Sequence, residues 1–383
     1  MVTRVQVQPT LLAWAADRSG LDEATITAKF AAFPKWLARD ADPTFKQLEE
    51  FARYTHTPLG YLFLAEPPTE AVPIPDFRTM GNLAIPRPSP DLLDTIYDCQ
   101  TRQEWYRDYA QAGGLAPPPF VGSVQSGGPV ADVAATIRDA LQFGTTRRAS
   151  YRTQDDARGY LIKAIEDLGI LVMVNGVVGN NTHRKLNTDE FRGFAIADPL
   201  APLIFVNGAD TKAAQLFTLI HELAHIWAGD TALSDADMSA RNGQDKELWA
   251  NKVAAEVLVP QAELRAVWPA SSNTSDLERT AGRFRISTLV TLKSAFDAGL
   301  IGWDDYRSRY RAEWDRIQEF LNERGSGGGG NFYNTQPFRV GRHFARAVVS
   351  WTLEGRTLFS DAYALLGTAK HETFERLAEA VMA

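Results

Sequence analysis

Two histidines flank a glutamate in the segment HELAH at residues 221–225. On a helix this spacing places the imidazoles of His221 and His225 on one face, one turn apart, where both can bind one zinc ion. Glu222 then lies beside the metal as a general base for an attacking water. The apolar neighbours Phe217 and Ile226 favour a half-buried helix over a chance occurrence of the pattern. The motif therefore predicts a zinc site of the metallopeptidase type.

A catalytic zinc site also needs a third protein ligand and an open position for water. The next helix offers Glu247 and Glu256, nine residues apart. That separation is about 900° of helix rotation, half a turn out of phase, so only one of the two can face the metal. Asn251, one turn after Glu247, can support a ligand at that position and favours Glu247. Glu256 remains the alternative, and its other role is a helix cap or an ion pair.

Apolar periodicity and boundary residues predict the elements that position these side chains. The metal helix spans 211–228, with Asp210 as its N-cap and Gly229 as its stop, and the glutamates lie on a helix over 246–258. Helices over 131–143 and 154–168 come first, and strands are expected at 170–174, 191–197 and 203–207. The strand at 191–197 either accepts an extended peptide by strand addition or is an ordinary sheet edge.

The rest of the chain divides into helical segments and linkers. Short helices fill residues 1–65, and prolines make 67–90 an extended linker or strap. A helix over 91–112 leads to a second linker at 113–129. A helix-turn-helix pattern at 275–300 and a charged helix at 303–323 precede a glycine-rich linker at 325–330. The last residues form a small unit with a strand expected near 347–351 and terminal helices.

Composition narrows the class of protein. A chain of 383 residues has room for two or three domains, and a net charge of −7 excludes a basic nucleic-acid coat. Cys99 is the single cysteine, which excludes an internal disulfide framework and fits a reducing compartment, and we expect it to be buried and inert. The sequence shows neither a signal peptide nor a membrane span, so we expect a cytoplasmic protein with no membrane partner.

The ordered segments EFRGFAIAD, IFVN, FTLIHELAH and ELWANKVAAEVLVP resemble the ImmA/IrrE family of metallo-endopeptidases. The resemblance covers roughly residues 150–262. It implies a zincin-like core that cleaves repressor-type transcription factors in stress responses and mobile-element control. It also implies that His221, His225 and Glu247 are the zinc ligands and that Glu222 is the catalytic carboxylate. The family often has Phe where this chain has Val253.

Residues 1–65 resemble an XRE-type helix-turn-helix domain, most clearly in PTFKQLEEFA and the closing YLFL. The Trp-Glu-x-Gly step of that family is altered, since Trp36 is kept but Leu37 and Arg39 replace the Glu and the Gly. Pro34 interrupts the recognition segment, and seven basic residues are balanced by seven acidic ones in this region. Lys35 and Arg39 are the candidate DNA contacts. The alternative is a domain that docks a similar repressor or forms a dimer.

These inferences predict a mostly helical α+β protein. Its parts are an XRE-like helix-turn-helix domain (1–66), a Pro-rich linker and helix (67–129), a zincin-like metallopeptidase core (130–262), a helical helix-turn-helix-like extension (263–324) and a small C-terminal unit of unassigned role (331–383). The predicted function is a zinc endopeptidase whose partner is a protein substrate, a transcriptional repressor; DNA binding and a homodimer are further expectations. The alternative function is a DNA-binding transcriptional regulator with a structural or latent zinc site. Glu222 favours the first, because a structural zinc site needs no carboxylate base.

Overall fold

The computed structural model describes residues 3–76, 88–234, 245–269, 273–324 and 332–382. The chain divides into two compact units. The first comprises Met1–Pro73 and Pro86–Ile96, and the second comprises Ile74–Ile85 and Tyr97–Ala383. The protein is mostly helical with a small sheet, so the predicted α+β class is confirmed.

The first unit is a cluster of short helices around an aromatic core. Its elements are α1 (Pro9–Arg18), α2 (Glu23–Lys29), α3 (Phe33–Leu37), α4 (Phe45–Tyr54) and a 3-10 turn at Leu59–Phe63. Thr44 and Gln47 form a reciprocal capping box at the start of α4, which fixes where that helix begins. Phe33 and Phe51 stack in the core with ring centroids 5.4 Å apart. Burial of these aromatic rings stabilises the packing of the short helices against one another.

The sheets belong to the second unit. The strands are β1 (Leu171–Asn175), β2 (Val177–Val178), β3 (Asn181–Lys185), β4 (Gly193–Ile196), β5 (Leu203–Asn207) and β6 (Ala232–Ser234). One sheet has the order β1-β5-β4-β6, with β1 and β5 parallel and the other pairs antiparallel, while β2 and β3 form a separate antiparallel pair. Both alternatives for the strand at 191–197, a strand that accepts a peptide and an ordinary sheet edge, are wrong, because β4 pairs with β5 on one side and with β6 on the other.

Helices make up the rest of the second unit. They are α5 (Pro90–Ala112, which begins in the first unit), α6 (Val130–Leu141), α7 (Thr145–Ala149), α8 (Gln154–Asp167), α9 (Lys212–Ala228), α10 (Asp245–Leu258), α11 (Gln261–Val267), α12 (Thr274–Phe284), α13 (Thr288–Asp297), α14 (Trp303–Arg324), α15 (Phe332–Val340), α16 (Arg342–Leu353), α17 (Phe359–Leu366) and α18 (His371–Met382). The strand expected near 347–351 is wrong, since these residues lie in α16. Its buried Phe344, Val348 and Val349 follow helical spacing. The predicted glycine-rich linker lies outside the described residues.

Helix α9 is almost wholly buried and packs against β4, β5, α8 and α10. The Thr211 hydroxyl accepts the Ala214 N–H and is the N-cap. The prediction of Asp210 for that role is wrong, because Asp210 instead accepts the N–H of Thr211. Gly229 ends the helix at a φ of 71°, the left-handed conformation predicted for it. The helix is therefore fixed at both ends around its metal-binding motif.

Two further expectations concern chemistry outside the motif. Cys99 is fully buried, and burial raises the pKa of its thiol to about 12, which makes it inert as predicted. Within the described ranges, the helices are all too short or too polar to cross a bilayer.

Candidate metal centre

His221 and His225 lie one turn apart on α9, and their Nε2 atoms are 3.2 Å apart. Both side chains are fully buried. Helix α10 brings Glu247 against them, with Oε1 at 3.0 Å from His225 Nε2 and Oε2 at 3.2 Å from His221 Nε2. These three residues are the group in the described chain whose ligand atoms lie close enough together to hold one metal ion.

The spacing and chemistry of the three side chains fit zinc. With bonds of about 2.0–2.1 Å, a tetrahedral zinc ion places neighbouring ligand atoms about 3.3 Å apart, close to the distances found here. Two imidazoles and a carboxylate are also an ordinary donor set for catalytic zinc. One cation can be bound by ligand atoms of all three side chains at once. The arrangement therefore fits a zinc ion.

Ionisation states at the centre also suit metal binding, which requires deprotonated ligands. Burial lowers the pKa of His225 and keeps its imidazole neutral, although the hydrogen bond that this ring donates to Glu247 opposes the shift. Burial alone raises the pKa of Glu247. Interactions with the rings of His221 and His225, including hydrogen bonds that the carboxylate accepts, outweigh burial and hold that pKa at about 2. The carboxylate is therefore ionised at neutral pH.

Polar neighbours hold two of the three side chains in place. His221 Nδ1 lies 2.9 Å from Asn251 Oδ1, so the Nδ1–H donates to the amide oxygen and directs Nε2 towards the other two side chains of the centre. The Ser234 hydroxyl donates to Glu247 Oε1 at 3.3 Å, which ties strand β6 to the centre. Asn251 thus lies where the sequence placed it, in support of a ligand. Ser234 could not be identified from the sequence, because its position next to Glu247 follows from the pairing of β6 with β4.

Glu222 follows His221 on the same helix and is fully buried. Its carboxylate lies over Gly193 at the start of β4. A Cβ on Gly193 would come within 2.9 Å of Glu222 Oε1, 2.6 Å of Thr218 Cγ2 and 2.8 Å of the carbonyl oxygen of Phe205. Only a glycine leaves this space for the carboxylate. Gly193 was not among the site residues predicted from the sequence, although a glycine inside a strand pattern indicates such a close approach.

The segment that follows α5 braces the C-terminal end of α9. Gly122 and Val124 donate their N–H groups to the carbonyls of Ile226 and Trp227. The ring of Phe120 stacks on Trp227 with centroids 4.1 Å apart. These contacts add donors to carbonyl groups of the last turn, of which that of Ile226 also accepts the Gly229 N–H. The contacts fix the position of the helical turn that contains His225.

Glu256, the alternative third ligand, lies away from the His pair. Its Oε2 accepts the Gln261 N–H at 3.1 Å and caps α11. Burial raises the pKa of its carboxyl, opposed by that hydrogen bond. The capping role considered for this residue is the one that the structure shows, and of the two glutamates it is Glu247 that lies with the histidines.

The candidate DNA contacts lie in the first unit. Lys35 is exposed on α3, which has only five residues. Arg39 is also exposed, adopts the left-handed region at a φ of 61°, and donates to Gln8 Oε1 at 2.7 Å. Residues other than glycine adopt that backbone conformation uncommonly. DNA binding by these two residues stays a prediction.

Comparison with known families adds two matches. Residues 165–295 match the model of the IrrE N-terminal-like domain of peptidase family M78, and residues 340–380 match a domain of unknown function. No curated protein matches the chain. The first match contains the whole metal centre, together with Gly193, and supports a metallopeptidase. It agrees with the predicted ImmA/IrrE resemblance, while the helix-turn-helix resemblance of residues 1–65 has no matching model.

Proposed function

We propose that this protein is a zinc-dependent endopeptidase in which His221, His225 and Glu247 bind the metal and Glu222 is the catalytic carboxylate. The observation that supports the proposal most is the convergence of the three ligand side chains beside Glu222. A structural zinc site needs only ligands, and a buried carboxylate next to them serves no purpose there. A hydrolytic site requires such a base.

The roles of the side chains follow from their positions. When bound, zinc polarises the scissile carbonyl and lowers the pKa of water. Glu222 accepts a proton from the attacking water and donates it to the leaving amine, so the peptide bond is exchanged for a carboxylate and an amine. Asn251 keeps the His221 ring in the orientation and tautomer that direct Nε2 to the metal. Gly193 leaves room for the Glu222 carboxylate.

For the substrate, we propose a repressor-type regulatory protein cleaved in a stress or mobile-element response. The support is the resemblance to the ImmA/IrrE family and the match over residues 165–295. The first unit is a cluster of short helices whose sequence resembles XRE-type domains. A domain of that kind can dock a related repressor, bind DNA through Lys35 and Arg39, or form a homodimer.

The test compares new protein N-termini in cells that express wild type or Glu222→Gln, with bound zinc assayed in both proteins. We expect zinc in both and specific N-termini only with wild type, and those N-termini identify the substrate. Glu256→Gln is the matched control, because it makes the same chemical change at a glutamate that caps α11. If the N-termini of all three strains agree under stress as well, the endopeptidase proposal is wrong.

The alternative is a DNA-binding regulator with a latent zinc site. It rests on the exposed Lys35 and Arg39 of the first unit. Binding through phosphates weakens steeply as salt rises. DNA retention that falls with salt and is lost in Lys35→Ala, together with unchanged N-termini in Glu222→Gln cells, would favour this function over proteolysis.

A further inference from the structure

The outer edge of the sheet beside the metal centre is occupied by the chain itself. Strand β6 pairs with β4 on its inner side. On its outer side, Leu233 donates its N–H to the carbonyl oxygen of Pro75 at 2.9 Å, and Asp76 forms a parallel bridge with Leu233. Residues Ile74–Asp76, here called the strap, therefore lie where an added strand would lie.

The strap pairs with β6 beside a residue that contacts the metal centre. Ser234, the residue after Leu233 on β6, donates to the Glu247 carboxylate at the metal centre. In the same conformation His221, Glu222 and His225 are fully buried and Glu247 nearly so. An endopeptidase must admit an extended peptide to its metal, so these side chains have to become accessible when a substrate binds. In this conformation they are buried, and the sheet edge beside them is already occupied.

The strap is suited to release rather than to permanent pairing. Pro73 and Pro75 have no N–H group, so neither can donate to a ladder, and short Pro-containing strands occur at sheet edges. Ile74 is the buried side chain of the strap, while its neighbours Pro73 and Pro75 are exposed. Ile74 thus supplies an apolar anchor, and Leu233 supplies a backbone hydrogen bond to the strap. A substrate with donors at every residue can form a longer ladder on the same edge.

We infer that the strap is an intramolecular occupant that keeps the metal centre latent, and that an extended segment of the protein substrate displaces it by pairing with the outer edge of β6. The occupant of that edge in the latent form is this chain's own Ile74–Asp76. The inference deepens the proposed function and rests on it for the identity of the displacing peptide. The effect of the strap on access to the metal can be tested without any substrate.

The test measures how fast zinc passes from the full-length, zinc-loaded protein to a chromogenic chelator. Ile74→Asp removes the apolar anchor, and Ala71→Asp adds the same charge at an exposed position nearby in the chain. We expect Ile74→Asp to release zinc about tenfold faster or more, because release shifts the population to the open form. Ala71→Asp should match wild type. A peptide of residues 71–76, AVPIPD, added to Ile74→Asp should slow release again.

Two further measurements keep the outcome decisive. Ile74→Ala makes a milder change and should give an intermediate rate, so it replaces the Asp variant if that protein fails to fold. Hydrogen exchange in wild type should show the Leu233 amide exchanging about tenfold faster or more than the amides that join β4 to β5. Equal zinc release in all proteins, or a Leu233 amide as protected as the sheet interior, overturns the inference. Faster release without new N-termini in cells supports the strap and counts against the endopeptidase proposal alone.

Discussion

Replacing Gly193 by alanine tests whether the start of β4 is shaped to leave room for Glu222. The added Cβ lies 2.6, 2.8 and 2.9 Å from Thr218 Cγ2, the Phe205 carbonyl oxygen and Glu222 Oε1, all closer than carbon makes contact. Thr218 is held in a buried helix and Phe205 in the sheet interior. Overpacking of this kind costs about 1–3 kcal/mol, and we expect the upper part of that range because two of the three neighbours cannot move freely.

The assay is chemical unfolding, together with zinc binding and peptide cleavage. We expect Gly193→Ala to lower the free energy of unfolding by about 2–3 kcal/mol. It should abolish most cleavage, because Glu222 is displaced, while zinc still binds. The control is Gly159→Ala, which lies in α8 with open space around its added Cβ. That change should stabilise the protein by about 0.5–1 kcal/mol.

A double variant locates the clash. Thr218→Ser removes the methyl group nearest the added Cβ, so it should restore part of the stability of Gly193→Ala while leaving the contacts with Phe205 and Glu222. A favourable coupling between residues in contact is commonly about 0.5–3 kcal/mol. If Gly193→Ala is as stable as wild type, or if the two changes are simply additive, the close approach described here is wrong.

Three other predictions concern the metal centre and a buried carboxyl group. Glu247→Ala should lose zinc in a binding assay, while Glu256→Gln keeps it; equal zinc contents would refute the ligand assignment. Asn251→Leu should lower zinc affinity by about 10–100-fold with Asn251→Asp less affected, and unchanged affinity would show that His221 needs no support. Burial raises the pKa of Glu166 to about 7, although N–H groups of α16 oppose it. Its protonated state therefore contributes stability that is complete below the unfolded pKa, near 4.5, and is lost as pH rises through 7. As pH rises from 5 to 8, the unfolding free energy of Glu166→Gln should therefore rise by on the order of 2 kcal/mol relative to that of wild type. Parallel curves of unfolding free energy against pH for the two proteins would contradict this prediction.

The helices and their ends follow largely from local sequence. The helical period alone was enough to predict that His221 and His225 share a face. The tolerance of glycine for positive φ was enough to predict that Gly229 ends the helix. The error at the N-cap, Thr211 rather than Asp210, is a shift of one residue between two side chains that both accept N–H groups. The strand expected near 347–351 failed because a short apolar run fits either element, and packing within the C-terminal helices decided it.

The third ligand shows where sequence reasoning reaches its limit. The half-turn phase difference established that Glu247 and Glu256 face different ways. It did not establish which face of α10 meets α9, because that depends on how the helices pack. Asn251 gave the better indication, and it lies against His221 in the structure.

By itself, the sequence determined the class of site, which has two imidazoles and a carboxylate on one helix. It also determined a candidate partner helix and three strands. All of these depend on the spacing of residues close together in the chain. The tertiary structure decided which residues from distant parts of the chain meet there. Gly193 lies under Glu222, β6 covers the edge of β4, and the strap lies on β6. A three-residue strand and a proline-rich segment have too little periodicity to predict their partners, since pairing between strands is set by the whole sheet and not by either segment alone.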